Sequence, residues 1–353
     1  MKLRLDARYI PVLASAGVLA GLYVLGCVLF GDRGFTSLRV VVDLLSENAF
    51  LGAAAIGATV VILSGGIDLS SGSIIALVSI LIAVLCFDPA LDPRQVGEIK
   101  QLLPAAWLPL HPAAAVLVAL AVGTLLGTAM GCLIHFFRLP PFLVTLGGMF
   151  FARGLAFLIK TESLSIKHPF YIETIREDLR IALTAQVDMP FVVVCFAAIF
   201  VLGLVLMHWT RFGRNVYAIG GDEKSAVLMG LPVASTKIRG YTFAGFCSAL
   251  AGVMYTFSLS KGDPAQAGVG LELDAIASAV IGGTLLSGGV GYLAGTLMGV
   301  LIFGLIQTLI NFQGTLSAWW TRIAVGVLVL VFILLQNFVS AATRHVGSDR
   351  SDT

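Results

Sequence analysis

Three stretches of this sequence place glycines and acids where apolar sequence would otherwise run on. Residues 62–77 read ILSGGIDLSSGSIIAL, residues 280–295 read VIGGTLLSGGVGYLAG, and residues 211–230 read RFGRNVYAIGGDEKSAVLMG. A Gly-Gly turn can cradle a phosphate with its backbone N–H groups. That chemistry also needs a preceding strand and the rest of a nucleotide fingerprint, and Gly220-Gly221 has neither. The same residues read better as a docking element. Asp222 is a good helix N-cap, residues 223–229 make about two turns, and Gly230 followed by Pro232 stops them. Ala226, Val227 and Met229 then give a short helix a small apolar patch, suited to a groove on a partner. If that partner consumes ATP, its motion can pass into the rest of the chain through this knob.

Other candidate groups carry simpler readings beside the functional ones. Asp68 is the acid of the first break, and Asp68 or Ser70 is expected to cap the following helix by accepting free backbone N–H groups, in preference to touching a substrate. Glu272 and Asp274 lie at the start of a later apolar segment, where acids suit the helix macrodipole. Arg153 lies well inside an apolar run, and a charge there is a functional hypothesis by default. There is no G-x-x-x-x-G-K-[ST], so the chain is not expected to hydrolyse ATP itself, and there is no HExxH. No run of acids resembles an ion relay, and no nucleophile–base pair marks an enzyme.

The elements that must position these residues are membrane spans. Of 353 residues 58% are hydrophobic and only 12% charged, with mean hydropathy +0.97, which excludes an ordinary soluble domain. The net charge of +2 gives no reason to expect nucleic-acid binding. Apolar segments near 10–30, 42–63, 70–87, 113–136, 140–160, 190–208, 238–259, 274–288, 291–311 and 318–338 predict an all-α polytopic membrane protein of about ten spans in a single transmembrane domain, 1–353. Segments 70–87 and 274–288 are short and border the glycine breaks, as half-helices or tilted spans would. The similarity of the two breaks suggests an internal inverted repeat of the kind transporters use. Gly123, Gly127 and Gly131, like Gly291, Gly295 and Gly299, recur every four residues, which predicts close helix packing.

Basic residues cluster in the N-terminal tail, in the 209–239 loop and in the C-terminal tail, so both termini and that loop are expected on the cytoplasmic face. The long loops 88–112 and 161–189 then face outward. Within the second, IETIREDLRIAL places Ile172, Ile175 and Leu179 at helical spacing, as in a surface helix. Trp319 and Trp320 are expected to anchor the last span at the outer interface.

Taken together these motifs resemble a known family. GRNVYAIGGDEKSAVLMGL at 213–231, VILSGGIDLSSGS at 61–73 and VIGGTLLSGGVG at 280–291 are similar to the monosaccharide ABC permeases of ribose, xylose and arabinose importers. SENAFLG at 46–52, GVGLELDAIASAV at 268–280 and NFQGTLSAWWTRIAVG at 311–326 resemble more narrowly the YjfF-type permeases of galactofuranose importers. The resemblance implies a bacterial inner-membrane complex. Its other members are a second permease subunit (a different one, or a second copy of this chain), an ATPase with two cassettes that holds ATP and Mg, and a periplasmic sugar-binding protein. No cofactor is implied on this chain. It further implies that Gly220, Gly221, Asp222, Ala226, Leu228 and Gly230 form the element that couples to the ATPase. Gly65, Gly66, Asp68 and Ser70 would shape a break near the substrate path. Asn48 and Phe50 are candidates to face the cavity, an amide and an aromatic ring being suited to sugar hydroxyls and apolar faces, although helix packing explains them equally well.

Overall fold

The computed structural model describes residues 10–88, 109–171, 179, 181–184, 187–317 and 319–348. Most of the 88–112 loop lies outside the described residues, as do Ile172 and Ile175 of the expected surface helix. The end of that stretch is not helical: Ile181–Thr184 (β2) pairs antiparallel with Val187–Met189 (β3).

The chain is a polytopic all-α membrane protein. Among the described residues, seven helices are long and apolar enough to cross a bilayer. They are α1 (Ile10–Phe30), α5 (Pro112–Phe136), α6 (Pro141–Ile159), α7 (Phe191–Trp209), α10 (Val233–Leu259), α12 (Leu293–Gln313) and α13 (Trp319–Ser348). An eighth span results if α2 (Leu38–Glu47) and α3 (Ala49–Leu63), bent by 53° at Asn48, count as one. The two segments expected to be short are α4 (Ser71–Leu85, 15 residues) and α11 (Leu271–Ile281, 11 residues). At 1.5 Å per residue they reach about 22 and 16 Å, less than the roughly 30 Å hydrocarbon core. Their length need not match the lipid, because protein surrounds α4 almost completely: Leu81 alone among its residues is less than fully buried. Two further short helices, α8 (Arg211–Gly221) and α9 (Glu223–Leu228), join α7 to α10.

Helices α3, α4 and α10 make the centre, and glycines let them approach. Gly123, Gly127 and Gly131 of α5 all face α10. A Cβ built on Gly127 would overlap the Tyr241 carbonyl oxygen, and one on Gly245 would come within 2.6 Å of the Gly123 oxygen. The second stripe works the same way in part. Gly295 and Gly299 of α12 press on the backbone of Gly282 and Ser278, whereas Gly291 belongs to the preceding turn, with φ +151°. Such backbone-on-backbone contact maximises dispersion where no hydrophobic driving force exists between helices.

Contacts define two ends of the bundle. At one end lie α8, α9 and the turns 64–70 and 282–292. Pro11 of α1 packs there on Gly283, and Gln336 of α13 donates to the Val280 carbonyl at 3.1 Å. The start of α1 and the last turns of α13 thus lie toward the same end. At the opposite end Arg33 donates to the Phe312 carbonyl (3.0 Å), Leu110 N–H to the Leu85 carbonyl (2.8 Å), and Leu164–Ser165 (β1) pairs with Lys261–Gly262 (β4). From β4, residues 263–270 turn back into the bundle along α4. Gly262 lies beside Ser79 and Gly268 beside Gly72, so α11 begins part-way through the structure. The two glycine breaks that suggested an inverted repeat sit at the same end and touch each other, whereas elements related by inversion would occupy opposite ends.

Gly127→Leu is expected to force α5 from α10 and cost about 1–3 kcal/mol, as overpacking does. In detergent-solubilised protein this reads as a lowered unfolding temperature. Gly147→Ala, with open space at its Cβ position, should leave that temperature unchanged.

Candidate functional site

The two breaks owe their shape to helix termination. Both α3 and α11 end by the same pattern of two hydrogen bonds: Gly66 N–H to Val61 O with Gly65 N–H to Ile62 O, and Thr284 N–H to Ala279 O with Gly283 N–H to Val280 O. This is the Schellman closure, and the residue at its turning point must be left-handed. Gly65 (φ +80°) and Gly283 (φ +92°) supply that conformation without a Cβ penalty. The chain past each stop then meets the other. Gly289 N–H donates to the Leu63 carbonyl at 3.0 Å, and a Cβ on Gly288 would lie 2.9 Å from Gly65 N.

Helix α8 ends in the same place. Its amphipathic face buries Gly213, Val216 and Ile219, and its last turn carries Gly220 into the gap between the breaks. A Cβ on Gly220 would overlap the Leu63 carbonyl oxygen and stand 2.6 Å from Gly289 N. Gly220 and Gly221 are therefore not a turn, as the sequence suggested, but the helical end of α8. Gly220 is needed for backbone contact, while the Cβ position of Gly221 is open.

Helix α9 follows. Asp222 caps it, accepting Lys224 N–H at 2.9 Å and Ser225 N–H at 3.2 Å, with the Ser225 hydroxyl at 3.2 Å. These bonds, the Ser225 backbone bond foremost, hold the Asp222 carboxyl below the usual aspartate range. The cap is in force above the ordinary aspartate pKa and is lost as pH falls through the lowered value. A third Schellman-type stop, with Gly230 at φ +75° and Leu231 N–H on the Ala226 carbonyl, ends the helix. Lys237 of α10 pairs with Glu223 at 2.7 Å. Ala226 is fully buried against Ile219 and Val233. It is thus the anchor of α9 and not part of its outward patch, correcting the expectation above. The outward residues are Val227, Leu228 and Met229, and Leu228 is 88% exposed.

Asp68 lies beside the first break and is buried. It accepts the Ser70 N–H (2.8 Å) and the Ser70 hydroxyl (2.6 Å). The expected cap of α4 is therefore altered: Ser70 sits at the N-cap position but gives its hydroxyl to Asp68 rather than to the helix N–H groups. Ile67 O accepts from Thr145 of α6 (3.2 Å) and Tyr241 of α10 (3.5 Å), and Gly66 leaves room for the Tyr241 hydroxyl.

Toward the middle of the bundle, Arg153 donates to the carbonyls of Pro264 (2.8 Å), Ala267 (2.9 Å) and Gly72 (3.4 Å). It ties the re-entrant segment 263–270 to the start of α4. Beyond that segment is a cavity of about 380 Å³. The α2/α3 bend contributes Asn48 and Phe50, α10 Tyr255, the re-entrant segment Gln266, and α12 Phe303 and Gln307. Asp274 of α11 and Arg322 of α13 form an ion pair across its wall at 2.5 Å.

Comparison with known proteins follows this architecture. Residues 40–334 match the family described as branched-chain amino acid transport system / permease component. The chain belongs to this permease family. It is 45% identical over 331 residues to the inner membrane ABC transporter permease protein YjfF of Escherichia coli K12, covering 93% of this chain and 92% of that one. It is 36% identical over 351 residues to the fructose import permease protein FruG of Bifidobacterium longum, covering 98% of this chain and 95% of that one. It is 35% identical over 336 residues to the ribose import permease protein RbsC of Bacillus subtilis, covering 94% and 95%. No solved structure matches.

In this permease the sequence-derived residues fall into two groups. Gly65, Gly66, Asp68 and Ser70 gather with Gly220 and Gly221 at the glycine junction, and Asp222, Ala226, Leu228 and Gly230 build the adjoining helix. Asn48 and Phe50 lie apart, at the cavity. Sequence reasoning missed Tyr255, Gln266 and Gln307 and gave Asp274 only a helix-end role. A signal was present in Gln307, an amide inside an apolar run, because such groups avoid lipid as charges do.

Gly220→Ala is expected to wedge α8 out of the junction and lower thermal stability, while Gly221→Ala at the neighbouring open position should be neutral or slightly stabilising. Paired melting curves of the two purified variants check this.

Proposed function

We propose that this permease is the membrane subunit of a bacterial ABC importer for a monosaccharide, galactofuranose first among the candidates, and that α9 receives the stroke of a separate ATPase subunit. The observation that carries the reading is the construction of α9. It is a six-residue helix capped at both ends, seated through Ala226 and aimed outward by Leu228. Exposed apolar side chains on a rigid knob have a binding partner as their physical explanation. Its neighbour α8 touches both glycine breaks, so displacement of α8–α9 reaches α3, α4, α11 and α12 together.

The sugar assignment is supported by the ribose and fructose import permeases among the relatives, and the narrower galactofuranose assignment by the sequence resemblance and the identity to YjfF. On this reading ATP and Mg sit on the ATPase, a periplasmic binding protein delivers the sugar to the opposite end, and a second permease, different from this chain or a copy of it, completes the path. The chain is then an inner-membrane protein with α9 and both termini on the cytoplasmic side. An amino-acid importer is the competing reading, favoured by the family's printed description. An ion-coupled carrier would need no ATPase.

Uptake of labelled galactofuranose, ribose, fructose and leucine, in cells with and without this gene and with the ATPase active or inactive, separates these readings. Loss of one monosaccharide's ATP-dependent uptake supports the proposal. Loss of leucine uptake alone, or uptake that persists without the ATPase, overturns it. Leu228→Asp is expected to leave insertion and thermal stability intact yet lower ATP-driven uptake by about tenfold or more, the scale of a lost interface anchor. Co-purification of the ATPase with the variant checks the cause. Ala226→Asp, by contrast, should unseat α9 itself and lower stability as well.

A further inference from the structure

The bundle has a recess at the α2/α3 bend whose lining is rich in polar groups. Gln307 stands on the spanning helix α12, one turn beyond the Gly304 that packs on Asn48, and it is exposed. Gln266, on the re-entrant segment, is exposed too. An exposed amide within a membrane bundle faces water or protein, because an unsatisfied amide in hydrocarbon costs several kcal/mol. Both amides open on the same cavity of about 380 Å³, which lies within the size range of small-molecule sites. The same lining is partly aromatic: Phe50 and Tyr255 meet edge to face with ring centroids 6.2 Å apart.

The charges argue for a neutral guest. Arg322, the one cation in the lining among the described residues, is already held by Asp274 at 2.5 Å. Glu47 adds an exposed acceptor. A carboxylate or phosphate would meet two acids and a neutralised guanidinium. A polyhydroxylated ring meets amide donors and acceptors and aromatic rings in the same recess.

We propose that this cavity is a transit site for one neutral monosaccharide within the permease, with Gln266 and Gln307 bonding its hydroxyls and Phe50 and Tyr255 packing its apolar face. The permease itself then contributes to sugar selection. The inference rests on the sugar-importer reading above and deepens it by naming where the sugar is held.

The test uses the complete importer in proteoliposomes and the labelled sugars galactofuranose, ribose and fructose, reading uptake and binding-protein-stimulated ATPase side by side. Gln307→Leu and Gln266→Leu are each expected to lower uptake, or shift the ratio among the three sugars, by about tenfold, with stimulated ATPase held within about twofold, since one hydrogen bond to the guest is lost. Gln307→Asn, which keeps the amide, should recover part of the loss. Unchanged uptake and unchanged ratios in both leucine variants overturn the transit site. So does a parallel fall in uptake, ATPase and subunit assembly, which would make the polar wall a contact with the second permease. A wild-type importer that moves none of the three sugars defeats the sugar reading itself, a result distinct from either.

Discussion

Backbone that leaves helical geometry inside a membrane must find its hydrogen-bond partners in protein, since lipid offers none. The rest of this structure depends on how that requirement is met at one place. The stops of α3 and α11 release two loops into the same space, and Gly289 N–H closes onto the Leu63 carbonyl at 3.0 Å. Side chains would hold these segments apart, so the bond exists only because Gly220, Gly288 and Gly289 bring backbone onto backbone. Three parts of the chain distant in sequence are thereby joined through backbone contact.

This joint has a mechanical consequence. Close-packed backbone is poorly compressible and repacks in discrete steps rather than deforming smoothly. Helix α8 reaches the joint through Gly220 in its last turn, and α9 begins three residues later at that same end, so a push on Leu228 has a short, stiff route to both breaks. Short helices serve this arrangement. The turn before α4 and the turn after α11 lie at one end of the bundle, and these are what the joint connects.

A second device acts nearer the middle. The 263–270 segment is non-helical backbone at depth, and Arg153 satisfies three carbonyls around it, two within the segment and one on α4. The segment also folds on itself, with Asp263 accepting the Ala265 and Gln266 N–H groups at 3.1 and 2.9 Å. Held in this way, it delays the start of α11 and leaves space between α11, α12 and the Asn48 bend. The cavity is a by-product of backbone satisfaction, lined by whatever side chains those elements present.

Much of this was legible beforehand, and the physical reasons differ by feature. Runs of apolar residues determined a helical membrane protein, because a bilayer admits few alternatives. Asp222 and Gly230 determined the ends of α9, because capping is local chemistry between residues three or four apart. The glycine pairs marked the breaks, since only glycine turns a helix stop at positive φ without penalty. Tertiary structure alone decided which glycines touch and that the two breaks share one end. It also turned Ala226 inward and Leu228 outward, a choice made by Ile219 and Val233. Contacts across more than a hundred residues leave no periodicity in the chain. For that reason the sequence by itself marked the apolar spans, the ends of α9 and the two breaks, while α8's place, the junction and the cavity were decided only when distant backbones were brought together.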